Sequence, residues 1–366
     1  MAKGSVKYLR ICEELRREIL DGKYASGASF PSIVALMRRF AVSRLTAVKI
    51  VSRLKDDGLL KSQWGRGTFV VGGSRKIGII VPGMAYSEIF PPIVSRVSEL
   101  AQDEGYSVLL GDIPTKDPRR RASLTRKFIQ TLVDEGADGV LVEPLEFLSD
   151  MDDLNRENMA TLDAAGIPVV LMDSDVEPPP SRSRYDVVGI NNQDAGIAVA
   201  EHLFAQGARR IGFQLRPNWA PSVRNRLRGV RTACAERDGA RCDVLVAEPD
   251  DAAALRRFLS EKGRPDAFVC GCDKAAARFC RTLKEVGVSV PRDVLLCGFD
   301  DVEIAELMTP SLTTVRQPCA DIGEALFKTL LGRIRDRAAP PREILLPSPL
   351  VVRESTRRER SARSRL

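Results

Sequence analysis

Apolar and polar positions change period along this chain, and the change separates two kinds of architecture. From Tyr8 the residues Ile11, Cys12, Leu15 and Ile19 recur at helical spacing, and Gly22 offers a stop. Ile33, Leu36, Met37 and Phe40 give a second helix its apolar face, with Pro31 suited to the first turn. Ser43 is a natural N-cap for a third helix, where Ala47, Val51 and Leu54 share one face. Leu45, Lys49 and Ser52 lie opposite, with Arg44 and Thr46 near the helix start. Gly58 ends that helix, and Leu59–Ser62 and Thr68–Val71 read as two strands around a Gly65-Arg66-Gly67 tip. Helix, turn, helix and Gly-tipped hairpin in this order predict a winged helix-turn-helix, which sets one helix end into a DNA major groove.

After a Gly-Gly-Ser linker the period alternates. Short apolar runs at Lys76–Val81, Tyr106–Leu110, Gly139–Glu143 and Val169–Met172 are separated by helical stretches. A second set begins at Val187–Ile190 and continues through Arg210–Gln214, Val244–Val246, Ala267–Cys270 and Val294–Cys297. Strands spaced by helices of ten to fifteen residues predict doubly wound parallel sheets. Two sets predict two lobes with a cleft, and such folds bind ligands beyond the carboxyl ends of their strands. The expected organisation is α/β throughout the body: residues 1–73 a winged helix, residues 74–356 a two-lobed domain, residues 357–366 a basic tail. The whole run from Arg353 to Leu366 reads as a solvated end.

Charge sharpens this division. Residues 1–72 hold 14 Lys and Arg against 6 acids, a charge of +8, whereas residues 73–352 carry −5. A basic head on a mildly acidic body suits a polyanion-binding module attached to something else. No apolar run reaches the ~18 residues of a membrane span, and no signal-type apolar segment opens the chain. Cys12, Cys234, Cys242, Cys270, Cys272, Cys280, Cys297 and Cys319 have no metal-type spacing, and His202 is the only histidine. No metal, cofactor or His-based triad is therefore expected, and free thiols in a reducing cytoplasm are the default. No G-x-G-x-x-G follows a strand and no Walker or G-x-S-x-G motif appears, which leaves a Rossmann-like enzyme as the weaker reading of the body.

The head residues suit DNA. Ser32, Ser43 and the third helix start offer phosphate contacts, Arg44 can fork onto a guanine edge, and Lys49, Arg66 and Gly67 reach backbone or minor groove. Leu45, opposite the apolar face, suits a thymine methyl, and Thr46 stands beside it. A protein-binding winged helix is the alternative. The head resembles the GntR family of bacterial regulators through Gly22, Gly27, Pro31-Ser32, Leu36, Phe40, Val42-Ser43-Arg44, Thr46, Leu54, Gly58-Leu59 and Gly65-x-Gly67-Thr68-Phe69-Val70. Ile33, Val48 and Leu45 depart from that pattern, so base preference does not carry over.

The body resembles the LacI/GalR repressor core, itself similar to periplasmic sugar-binding proteins. The blocks are Asp186–Asn192 with Ala195-Gly196 and His202-Leu203; Gly207-x-x-Arg210-Ile211-Gly212-Phe213; Arg226-Leu227-x-Gly229; Gly298-Phe299-Asp300-Asp301; and Pro310–Val315 with Gln317-Pro318. A GntR head on this core resembles the arabinose-repressor architecture. The resemblance implies effector contacts from Arg226, Asp300 and Gln317, and from Tyr86, Ser87 and Phe90 in the first strand-to-helix loop. It implies Glu146 after the third strand and Trp219 stacking on a sugar face as further contacts. Cys272 stands where the family has asparagine, which removes one amide from the pocket. Arg226 and Asp300 could instead brace each other, Trp219 and Phe90 could be lobe-interface core, Asp301 reads as a helix cap, and His202 as structural.

The expected function is a dimeric, cytoplasmic, ligand-responsive transcription regulator. It would bind double-stranded operator DNA and a small polar effector, a saccharide by resemblance, with repression relieved by ligand. The alternative is a body that has lost its ligand and serves only for dimerisation.

Overall fold

The computed structural model describes residues 3–20, 22–25, 27–63, 66–71, 75–81, 83–84, 87–115, 117–146, 151–177, 180–217 and 220–357. The chain forms two compact units, residues 1–77 with 101–108, and residues 78–100 with 109–366.

The head begins with α1 (Lys3–Leu20), α2 (Ile33–Phe40) and α3 (Arg44–Asp56), followed by the antiparallel hairpin β1 (Leu60–Gln63) and β2 (Gly67–Val70). Ser32 and Ser43 are the N-caps of α2 and α3, their hydroxyls accepting from Ala35 N and Thr46 N at 3.2 Å each. Pro31 therefore lies outside its helix, one residue before the cap, because Ser32 takes the capping position expected of a helix boundary. The core joins Ile11, Leu15 and Ile19 to Leu36, Ala47, Ile50, Leu54 and Val70, all buried. Residues 27–30 run beside the hairpin, with Phe30 N donating to Thr68 O and Val70 N to Ala28 O. Arg39 ties α2 to α1 through Glu18 and Glu14. This pairing holds the Glu18 carboxyl down at about 2 despite its burial.

The body contains two six-stranded sheets. The first has the order β13-β7-β6-β5-β3-β4, and the second β14-β12-β11-β10-β8-β9. In chain order the elements are β3 (Arg75–Val81), α4 (Phe90–Asp103), β4 (Tyr106–Asp112), α5 (Pro118–Asp134), β5 (Gly139–Val142), α6 (Met151–Ala164), β6 (Val169–Met172) and β7 (Asp186–Ile190). Then come α7 (Asn192–Ala205), β8 (Arg210–Leu215), α8 (Pro221–Ala235), β9 (Arg241–Val246), α9 (Ala252–Lys262), β10 (Ala267–Cys270), α10 (Asp273–Glu285), β11 (Leu295–Asp300) and α11 (Glu303–Leu307). The chain closes with β12 (Thr313–Arg316), α12 (Cys319–Arg335), β13 (Glu343–Leu346), β14 (Leu350–Val351) and a 3₁₀ turn over Glu354–Thr356.

Two expectations change here. The strand at Asp186–Ile190 opens no second set; it pairs in parallel with β6 and β13 in the first sheet. A fully buried parallel strand is apolar on both faces, so its own pattern names no partner. The chain passes between the lobes three times, after β7, after β12 and after β13. The end of the chain also differs, since Arg353–Thr356 is docked rather than solvated. Ser355 Oγ donates to Leu296 O at 2.6 Å, and Thr356 Oγ1 lies 2.7 Å from Thr313 Oγ1 and 2.9 Å from His202 Nε2. Both residues are fully buried, because their hydroxyls satisfy polar groups that would otherwise be stranded. The remaining tail, residues 358–366, lies outside the described residues.

Close helix packing explains one sequence block. A Cβ on Gly196 would stand 2.1 Å from Arg226 O, and one on Gly229 would stand 2.0 Å from Gln193 O. The two glycines let α7 and α8 cross backbone to backbone, which aims Arg226 at the strand ends.

Candidate DNA-binding and effector sites

On the head, Ser43, Arg44, Leu45 and Lys49 are exposed at the start and outer face of α3, and Arg66 and Gly67 at the wing. Thr46 is half-buried, and its hydroxyl lies 2.9 Å from Ser43 Oγ. Leu45 keeps 68% of its surface in solvent. Arg44, Lys49 and Arg66 make no ion pair among the described residues, so their charges are available to a polyanion. Ser32 is committed to its cap, with only its outward side free. Gly65 lies outside the described residues.

In the body, the chemistry collects at the carboxyl ends of β5, β6, β7, β10 and β11. Arg226, 3% exposed, donates from Nε to Asn192 Oδ1 at 2.8 Å and from Nη1 to Gly271 O at 2.7 Å. The same Nη1 lies 3.5 Å from Asp300 Oδ1, and the guanidinium covers the Phe299 ring at 4.7 Å. Gln317 Nε2 donates to Asp300 Oδ1 at 3.1 Å. Asp300 Oδ2 has no hydrogen-bond partner among the described residues. Burial raises the Asp300 carboxyl, opposed by Arg226 and Gln317.

The Gly298-Phe299-Asp300-Asp301 block now has a physical reading. A Cβ on Gly298 would sit 2.2 Å from Asp273 Oδ1, so only glycine admits that carboxylate. Asp273 is fully buried, accepting from Thr314 Oγ1 at 2.6 Å and from Val302 N at 3.1 Å. Burial, with Asp300 nearby, pushes Asp273 up to about 8. Asp300 and Asp301 take φ of 112° and 55°, conformations uncommon for residues with a side chain. Asp301 is not a helix cap: Val302 holds that position before α11, and the Asp301 carboxylate pairs with Arg316 at 2.6 Å and Arg353 at 2.7 Å. Two cations outbid one backbone amide for it.

A groove of about 390 Å³ is lined by Met84, Ser87, Glu88, Asp300, Gln317 and Cys319 among others. Phe90 is buried at the start of α4 and does not line it. Cys272 precedes α10 and caps nothing with its sulfur; burial raises its thiol to about 11. Glu146 is buried, and burial followed by Asp173 pushes it up to about 8, against the pull of Arg121 and Arg226. Tyr86 and Trp219 lie outside the described residues.

Sequence reasoning missed four residues here. Glu143 follows β5 and Asp173 follows β6, so a rule of inspecting each strand's last residue would have found both. Asn192 bridges Arg226 and Asp173, the latter at 3.5 Å. Arg121 reaches the acids from α5, a helical arginine that no local pattern distinguishes.

Comparison with known proteins matches residues 7–70 to the gntR family of bacterial regulatory proteins and residues 200–356 to a periplasmic binding protein-like domain. An arabinose metabolism transcriptional repressor of Geobacillus stearothermophilus is 27% identical over 373 residues, 96% of this chain and 98% of the relative. A transcription regulator GntR from Chromobacterium violaceum superposes with a TM-score of 0.61 at 26% identity, over 77% of this chain and 99% of its own. A periplasmic binding protein/LacI regulator from Alkaliphilus metalliredigens, complexed with D-xylulofuranose, has a TM-score of 0.63 at 22% identity, over 78% of this chain and 100% of its own.

Proposed function

We propose that this chain, a gntR-type winged-helix head followed by a LacI-type, periplasmic binding protein-like body, is a transcription repressor released from operator DNA by a small polar effector. The head uses the α3 start, with Arg44 and Leu45 on base edges and Lys49 and Arg66 on phosphates. The body takes its effector at the strand ends, with Arg226, Asp300 and Gln317 holding polar groups and Ser87 facing them across the groove. Two copies assemble so that two heads meet two operator half-sites, and effector binding shifts the dimer between fitting and misfitting arrangements. Cytoplasmic location follows from an operator partner.

The observation that carries this reading is the Asp300 carboxylate. It is held in a strained conformation by Arg226 and Gln317, with Oδ2 left for an outside donor at the edge of the groove. Strain kept at such a position points to a binding role. The sugar-bound structure of the same fold supports a saccharide as the first class to screen.

The test is thermal denaturation of the full chain with a panel of saccharides. A ligand at 100 times its Kd stabilises by about 2.7 kcal/mol, and the same ligand must weaken operator binding. A compound that stabilises the body yet leaves operator affinity unchanged would defeat the effector reading. A body that only dimerises predicts no stabilisation by any compound.

A further inference from the structure

The strand ends beside the groove hold more acid than a neutral polyol requires, and of Glu143, Glu146, Asp173 and Asp300 only Asp300 lines the groove itself. Glu143, Asp173 and Asp300 stand at the ends of β5, β6 and β11, and Glu146 follows three residues after Glu143. The cations near them are Arg121 and Arg226, and Arg226 is already engaged with Asn192, Gly271 and Asp300. An independent observation concerns hydrogen bonding. Glu143 Oε2 and Glu146 Oε1 are buried with no hydrogen-bond partner among the described residues, on residues only 6% and 9% exposed. The loop carrying them is pinned: Leu145 N donates to Asn155 Oδ1 at 2.8 Å, and Asn155 Nδ2 donates to Leu145 O at 3.0 Å. Glu146 is buried and feels the charges of Asp173, Arg121 and Arg226. Buried acceptors left in this state await a donor that arrives with a ligand.

Resting on the reading of this cleft as the effector site, we infer that the effector carries a protonated amine on a hydroxylated frame, with the ammonium seated among Glu143, Glu146 and Asp173. An ammonium brings three donors and one positive charge, which match unpartnered carboxylate oxygens. The hydroxyls meet Asp300 Oδ2 and Gln317 toward the groove. A bare metal ion is a poorer fit, since the acids do not converge into a metal cage among the described residues. Burial raises both glutamates, Glu143 also through Glu146 and Asp173, and Glu146 to about 8 also through Asp173; Arg121 opposes both rises and Arg226 opposes that of Glu146. Burial thus favours the protonated form of these carboxyls, and an arriving ammonium drives a proton off them into solvent.

The experiment measures binding to the full chain by calorimetry and thermal shift. The panel contains aminodeoxyhexoses and aminodeoxyalditols, each beside its hydroxyl and N-acetyl counterparts. An amine should bind at least 100-fold more tightly than either counterpart. Its binding heat at pH 7 should differ between buffers of different ionisation enthalpy, showing proton release. Glu143→Gln and Glu146→Gln, checked for folding by circular dichroism, should each weaken the amine at least tenfold. An uncharged saccharide that binds best, with heat independent of buffer, overturns the amine and leaves the effector site standing. Amine binding untouched by both substitutions also overturns it. No binding by any member of either set defeats both the amine and the effector reading.

Discussion

Arg226→Ala is the perturbation that separates a pocket residue from a brace. The guanidinium is 3% exposed, with two short hydrogen bonds at 2.8 and 2.7 Å to Asn192 and Gly271. Its approach to Asp300 is 3.5 Å, beyond an ordinary hydrogen bond. Removing it strands a buried amide oxygen and a backbone carbonyl and leaves Asp300 to Gln317, and breaking buried charged contacts of this kind costs about 3–5 kcal/mol. For a body of this size that lowers Tm on the order of 10 °C. The direct Arg226–Asp300 coupling is expected to be small, under about 1 kcal/mol in a double-mutant cycle, because Nη1 is committed to Gly271 and Asp300 also has Gln317. Asp300→Asn should therefore melt near wild type while losing the effector response. Urea unfolding of the two single variants and the double variant supplies the cycle. Coupling of about 3 kcal/mol or more would make the pair a structural brace, and an Arg226→Ala variant as stable as wild type would refute the buried network itself.

Three further outcomes are expected. Leu45→Ala should leave stability within about 0.5 kcal/mol, since the side chain is 68% exposed, yet weaken operator binding; uracil in place of the contacted thymine should weaken wild type and not the variant. Gly229→Ala places a Cβ 2.0 Å from Gln193 O and 2.9 Å from Ile197 N, backbone atoms that cannot swing aside, so unfolding should show a loss of about 3 kcal/mol or more; a silent substitution would contradict the α7–α8 crossing. The Arg39 pairing that holds Glu18 at about 2 lends the head stability that is complete above the ordinary carboxyl value of 4.5 and is lost as pH falls toward 2. Acid titration of the head should lose that slope in Arg39→Ala, and an unchanged acid profile would count against the pairing.

The winged helix was legible because each boundary carries its own local signal. Ser43 caps, Gly58 stops, and the wing is tipped by glycine, while the start of α2 was misplaced onto Pro31 because the Ser32 cap was not read. The type and order of the body elements up to β11 were equally legible from period alone, whereas α11, β12, α12, β13 and β14 were not read. Lobe membership was not, since Asp186–Ile190 is buried on both faces and looks the same in either sheet. The docked end was hidden for a different reason: Ser355 and Thr356 are short polar residues in a basic run, and only the tertiary placement of Leu296 and Thr313 makes them core. At the site, Arg226, Asp300 and Gln317 were marked by their blocks, and the structure gathers them around one carboxylate, with Gln317 hydrogen-bonded to Asp300 and Arg226 in ion-pair range. Glu143 and Asp173 close otherwise ordinary apolar strands, and a carboxylate's burial cannot be seen along one dimension.

The order of strands in the first sheet bears on how the protein is made. β13, an edge strand of that sheet, and α12, which covers β5, β6 and β7, are encoded after every element of the second sheet except β14. A nascent chain that has left the ribosome as far as Arg316 carries α4 to α11, eight of the nine body helices among the described residues, and every strand of the second sheet except β14. Its first lobe still shows a bare apolar face where Leu330 is to lie against Gly139. Domains fold as they emerge, and exposed apolar surface is where aggregation starts. Translation that stops between Pro318 and Leu346 therefore yields no usable half-molecule, because the lobe synthesised first is completed only by the last fifty residues of the chain.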